Sequence, residues 1–89
     1  MTYQKLVDKC KNAYKKHDLE NAYQYWCDIH NKLFNNLDKY DKYDDKNRNK
    51  CYEEFYKYEN QFTDQEVYDI TDYGKEKCYK ELGYLDWYK

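Results

Sequence analysis

The chain has 89 residues, no proline, two glycines, ten Val, Ile and Leu residues against fourteen tyrosines, and a net charge of −2. That length admits one domain burying about 60–65% of its unfolded surface, and the scarcity of turn formers excludes a hairpin-rich β fold. The near-neutral total argues against disorder and against nucleic-acid binding by bulk phosphate neutralisation, and no apolar run approaches the ~20 residues of a membrane span.

The first helix is expected over about Thr2 to Lys16, with Tyr3, Leu6, Cys10, Ala13, Tyr14 and His17 on one face and lysines flanking it. A solvated face explains those lysines better than an interfacial membrane helix, because the apolar side is mostly Tyr, Cys and Ala. Asp18 is the expected N-cap of the second helix, with Glu20 in its first turn. From there Leu19, Ala22, Trp26, Ile29, Leu33, Leu37 and Tyr40 recur at the three- and four-residue spacing of a packed seam.

Periodicity dissolves between Asp38 and Asn49, a stretch that reads as a frayed extension or a loop, with Asn47 or Asn49 as the next cap. The third helix then places Cys51, Phe55, Tyr58 and Phe62 on one face. Thr63-Asp64-Gln65-Glu66 is a capping box and opens the fourth helix, whose buried stripe is Val67, Ile70, Gly74, Cys78 and Leu82. Gly74 within that stripe indicates close helix–helix approach rather than a hinge. Gly83 stands where a left-handed C-cap is expected, with Leu85 and Trp87 folding back onto the bundle. The expected fold is all-α: a compact bundle of about four amphipathic helices forming a single domain over 1–89.

Charge is unevenly distributed. Residues 1–50 carry 11 basic and 8 acidic groups, net +3, and residues 51–89 carry 5 and 10, net −5. On the fourth helix Asp69, Asp72 and Glu76 align almost opposite the buried stripe, bordered by Tyr68 and Tyr79 on one side and Tyr73 on the other. Carboxylates pair with Lys and Arg while tyrosine rings offer their faces to a guanidinium, so this stripe suits a basic protein surface. Glu53, Glu54 and Glu59 extend it if the third and fourth helices are neighbours. Tyr40, Tyr43, Asp44 and Asp45 form a second candidate contact. Imitation of a nucleic-acid backbone is a variant of the same idea, although a dedicated mimic carries a larger negative excess.

Cys27 and His30 stand three apart on one helix, and Cys10 approaches them if the first two helices form a hairpin, which defines a metal-site alternative. No paired CxxC supports it, and buried free cysteine is common. Without a Gly-rich phosphate loop, an HExxH motif or an evident Ser–His or Cys–His pair with an orienting partner, no enzymatic activity and no cofactor are expected. With no apolar N-terminal run resembling a signal peptide, the expected location is cytoplasmic and the thiols reduced.

In size and composition the chain looks like the small, Tyr- and acid-rich inhibitors carried by phages and mobile elements, anti-CRISPR proteins among them. The resemblance matches no position and transfers no residue. It implies a stoichiometric, non-enzymatic protein that blocks a host complex by occupying a basic surface. The alternative is a homo-oligomeric module that buries its spare tyrosines against copies of itself.

Overall fold

The apolar stripes fold into helices whose ends are set by local side-chain chemistry. The structure, a computed structural model, describes residues 1–82. Among them are four helices: α1 (Tyr3–Lys15), α2 (Leu19–Leu37), α3 (Asp45–Glu59) and α4 (Asp64–Leu82). Thr2 caps α1, its hydroxyl accepting from the Lys5 backbone N–H, and the Asp18 carboxylate accepts from Asn21 N–H to cap α2. Gly83, Leu85 and Trp87 lie outside the described residues.

Between α1 and α2 the chain reverses without glycine. Asp18 N–H donates to Ala13 C=O at 2.9 Å and His17 N–H to Tyr14 C=O at 3.0 Å, the two bonds of a Schellman motif. The residue that turns the corner is His17, at φ 61°, in the left-handed region that glycine ordinarily fills. A β-carbon there costs on the order of 1 kcal/mol, so the tight α1–α2 hairpin carries stored strain at one named residue.

Tyr3, Leu6, Val7, Cys10 and Ala13 from α1 interdigitate with Ala22, Trp26, Ile29, Leu33 and Leu37 from α2. Small residues at Cys10, Ala13 and Ala22 let the helices close, and the Cys10 thiol donates to the Ala22 carbonyl at 3.1 Å. α3 rests on α2 and α1 and contributes Phe55, while α4 rests on α2 and contributes Ile70. Phe62 lies beyond the end of α3, in the α3–α4 turn, and packs edge-on against Trp26 at 5.2 Å. Gly74 is buried, but its neighbour is a side chain: the Tyr23 ring lies across it.

Besides the end of α3, which falls short of Phe62, two helix boundaries differ from expectation. The seam was expected to reach Tyr40, but α2 ends at Leu37. The cap of α3 is Asp44 rather than Asn47 or Asn49, with the Asp44 carboxylate accepting from both the backbone N–H and side-chain amide of Asn47. With the helix starting three to five residues earlier, Arg48 lies within 3.2 Å of the Leu37 carbonyl, one of the unsatisfied acceptors at the end of α2.

The capping box forms as the sequence indicates. Glu66 accepts from Thr63 N–H at 2.9 Å, and Glu66 N–H donates to the Thr63 hydroxyl at 3.2 Å. Lys11 of α1 completes the site with an ion pair to Glu66 at 3.3 Å, its ammonium also 5.4 Å from the Phe62 ring centre. Burial pushes the Glu66 carboxyl up, but the Thr63 bonds and Lys11 outweigh it and hold the group below its ordinary 4.5. A depressed carboxylate stabilises the fold fully above its unfolded value and loses that contribution as pH falls through the folded value. Glu66→Gln is therefore expected to cost about 1 kcal/mol at pH 7 in urea titrations, and progressively less as pH falls below the ordinary carboxylate range. A deficit that stays constant down the whole acid limb would remove the charge from the explanation.

Candidate functional site

Tyrosine burial decides what surface the chain presents. Among the described tyrosines only Tyr3 is fully buried, stacked on Tyr58 at 5.1 Å with its hydroxyl accepting from Asn36. Tyr14, Tyr23, Tyr25, Tyr52 and Tyr58 lie half-buried on the core, and Tyr40, Tyr43, Tyr56 and Tyr68 are exposed. Most rings therefore form a half-wet shell around a small aliphatic centre, as expected of a side chain with an apolar body and a polar tip.

α4 places Ile70 and Gly74 inward, which turns Asp69, Asp72, Tyr73 and Glu76 toward the end of α1 and the α1–α2 turn. The acidic stripe does not lie on an open outer face as its opposition to the buried residues suggested. It forms one wall of a groove of about 400 Å³ whose other wall is Tyr14, Lys15, His17 and Leu19. The strained His17 is thus a groove residue.

The carboxylates within the groove differ in role. Asp69 accepts from the Tyr14 hydroxyl at 2.5 Å on one oxygen and from Gln65 at 2.8 Å on the other. The bond to Asp69 is the first cause of a raised Tyr14 pKa, so the phenol stays protonated and α1 stays latched to α4. Asp69 thereby positions the wall. Asp72 and Glu76 are exposed at the mouth, and among the described residues neither has a hydrogen-bond or ion-pair partner. Like charges four apart on a helix repel, at a cost of about 0.2–0.5 kcal/mol. Tyr73 borders them, its ring edge-on to Tyr23 at 6.2 Å.

Tyr68 belongs elsewhere. It is 64% exposed and lines a separate cleft on the opposite flank of α4, with Tyr56, Glu59 and Asp64. Of Glu53, Glu54 and Glu59, Glu59 lines this cleft with α4, while α3 packs mainly on α2 and α1.

At the second candidate contact the carboxylates are occupied with ending one element and starting the next. Asp44 is the α3 cap, Asp45 occupies its first turn, and Asp41 accepts from Tyr43 N–H at 2.8 Å. Tyr43 is 79% exposed with the Lys42 ammonium 4.9 Å from its ring centre, and Tyr40 is exposed beside it. Tyr40, Tyr43, Asp44 and Asp45 are adjacent, but Asp44 is committed to backbone.

Cys10 does not join Cys27 and His30. Burial, then Glu66, push its thiol up to about 12, so it remains a protonated donor to Ala22. His30 bonds the Trp26 carbonyl through Nδ1 at 2.8 Å, with its ring between Trp26 and Phe55. Cys27 and His30 border a cleft between α2 and α4 that also contains Tyr23 and Cys78. Bonding to Cys27 raises the Tyr23 pKa first, followed by burial and further contributions from Cys27 and Cys78. Cys78, expected in the buried stripe, is exposed. No three His, Cys, Asp or Glu side chains among the described residues are grouped to hold a metal, and no helix is long and apolar enough to cross a membrane.

Sequence reasoning missed Tyr14, His17 and Tyr56 as site residues. Tyr14 was legible as a face residue of α1, but its partner Asp69 is 55 residues away. The chain matches no protein-family model, and no curated protein or solved structure is detectably similar to it.

Proposed function

We propose that the chain is a non-enzymatic protein-binding protein whose α1–α4 groove engages a basic protein surface. The observation that carries this reading is the pair Asp72 and Glu76: two carboxylates four apart, mutually repelling, without cation partners, at the mouth of a groove walled by Tyr14 and Tyr73. A Lys or Arg supplied by a partner relieves the repulsion, and the tyrosines add area at little entropic cost. The strained His17 on the same groove supports the reading, because backbone strain is retained where a side chain is needed in place. In its sharper form the protein is a cytoplasmic stoichiometric inhibitor of a host complex, of the kind phages and mobile elements carry, which rests on likeness in size and composition alone.

Charge reversal tests the groove, and Asp69 is left intact because reversing it breaks the Tyr14 latch as well. Tagged parent protein and the Asp72→Lys/Glu76→Lys variant are compared by capture from nuclease-treated bacterial lysate with mass-spectrometric readout, and each captured partner is then titrated with purified protein. Loss of at least 100-fold in affinity is expected with the helical circular dichroism unchanged, together with weaker parent binding as salt rises. A folded variant that keeps full affinity overturns the groove as the binding site. Capture of the chain by itself alone, with a dimeric mass in light scattering, moves the reading to self-assembly.

A further inference from the structure

The cleft containing Tyr68 has its own chemistry. Tyr56, 50% exposed and stacked on Tyr52 at 6.2 Å, and Tyr68, 64% exposed, line a concavity of about 810 Å³ whose lining includes Phe62 and the half-buried Val67. Glu59 and Asp64 also line it, and no Lys, Arg or His among the described residues does. The cleft lies at the C-terminal end of α3, where the helix dipole presents partial negative charge and favours a cation. The opposing positive end of α4 is offset by Asp64 in its first turn and by Glu66, which takes the Thr63 N–H. Aromatic faces, carboxylates and a helix C-terminus therefore share one charge preference within one cavity.

A guanidinium meets all three features. It is planar and weakly hydrated, stacks on tyrosine faces and donates to carboxylates in the same pose, whereas an ammonium holds its water more tightly. We infer that the Tyr56–Tyr68 cleft is a docking site for an arginine side chain of a partner protein. It stands on residues distinct from Asp72 and Glu76 and does not depend on the α1–α4 groove. If both sites operate, one partner segment straddles α4 and gains by linkage of the two contacts.

The probe is a capped tri-arginine peptide, with capped tri-lysine as the matched control, titrated into isotopically labelled full-length chain and followed by NMR. Tri-arginine is expected to shift the Tyr56 and Tyr68 ring signals and move the arginine δ-methylene protons upfield. Tyr68→Ala and Tyr56→Ala are each expected to weaken binding at least 5-fold, and tri-lysine to bind at least 3-fold more weakly than tri-arginine. Both tyrosines are exposed, so each variant is expected to keep the parent circular dichroism. Tyr68→Phe, which keeps the ring and loses only the hydroxyl, is expected to retain binding and separates ring stacking from general damage. The Asp72→Lys/Glu76→Lys variant is expected to keep the ring shifts, which separates this site from the groove.

The inference is overturned if neither ring responds to tri-arginine, if tri-lysine binds equally well, or if the shifts vanish with Asp72 and Glu76 reversed. It is also overturned if the parent self-associates in light scattering and Tyr68→Ala makes it monomeric, since the occupant is then a second copy.

Discussion

Trp26→Ala is expected to leave most of the protein unfolded at 37 °C. Trp26 is buried at the junction of α2 with the α3–α4 turn, where its ring meets Phe62 edge-on at 5.2 Å and His30 at 4.7 Å. Truncating a buried tryptophan removes its apolar area and leaves a cavity, together costing about 3–5 kcal/mol. Small domains have about 5–15 kcal/mol in total, and a core with only ten Val, Ile and Leu residues in the whole sequence places this one at the low end. The loss therefore approaches the whole stability. Urea titration followed by circular dichroism measures it, with Trp26→Phe as the milder control that keeps an aromatic edge for Phe62. A Trp26→Ala midpoint close to the parent's would mean that Phe62 and its neighbours collapse into the space, and that the α3–α4 turn is not seated by this contact.

Gly74→Val is the second large effect. A β-carbon on Gly74 would run into Cε2 of Tyr23 and stand 2.7 Å from Cδ2 and Cζ of the same ring. The ring has limited freedom to yield, because its edge meets Tyr73 and it borders the α2–α4 cleft between Cys27 and Cys78. Alanine at this position gains about 1 kcal/mol of helix propensity over glycine, against an overpacking cost of about 1–3 kcal/mol. Valine adds two methyls and loses part of the propensity gain, so a net loss of about 3 kcal/mol is expected. In a domain of this size that lowers Tm by roughly 12–24 °C, at about 4–8 °C per kcal/mol. The collision can be isolated by a double-mutant cycle: Tyr23→Ala should recover much of the loss caused by Gly74→Ala. A higher Tm for Gly74→Ala alone would show that the ring swings aside at no cost.

Local signals in the chain were readable wherever the structure satisfies them locally. The stripes of α1 as far as Tyr14 and of α2 as far as Leu37, the Asp18 cap and the Thr63–Glu66 box each need only neighbours within a turn, and each formed, whereas His17 and Tyr40 fall outside the helices and are exposed. The start of α3 was not readable because Asp41, Asp44, Asn47 and Asn49 are all competent caps, and the choice is made by Arg48 reaching the end of α2. Cys78 continues the buried period of α4 in sequence, but it borders the open α2–α4 cleft that Tyr23 and Cys27 also line, and it stays exposed there. The grouping of Asp69, Asp72, Tyr73 and Glu76 was legible from helical spacing. The latch on Asp69 and the separation of Tyr68 to the other flank were not, because both depend on contacts with α1 and α3 that spacing along α4 does not encode.

The anchoring of α4 has a consequence for how the protein responds when occupied. Ten of the thirteen buried hydrophobic residues among those described belong to the α1–α2 hairpin, whereas α4 supplies Ile70 alone. It is also held by the half-buried Val67, the contacts of Gly74 and Tyr73 with Tyr23, the Lys11–Glu66 pair and the Tyr14–Asp69 bond. Peeling α4 away therefore requires only a fraction of the free energy of global unfolding, and the hairpin outlasts it. A ligand spanning the groove and the hairpin behind it binds only the docked arrangement, so its binding energy adds to the closure of the fold. Occupancy would act as a splint on the helix that carries the site, and the protein would be most resistant to opening when bound.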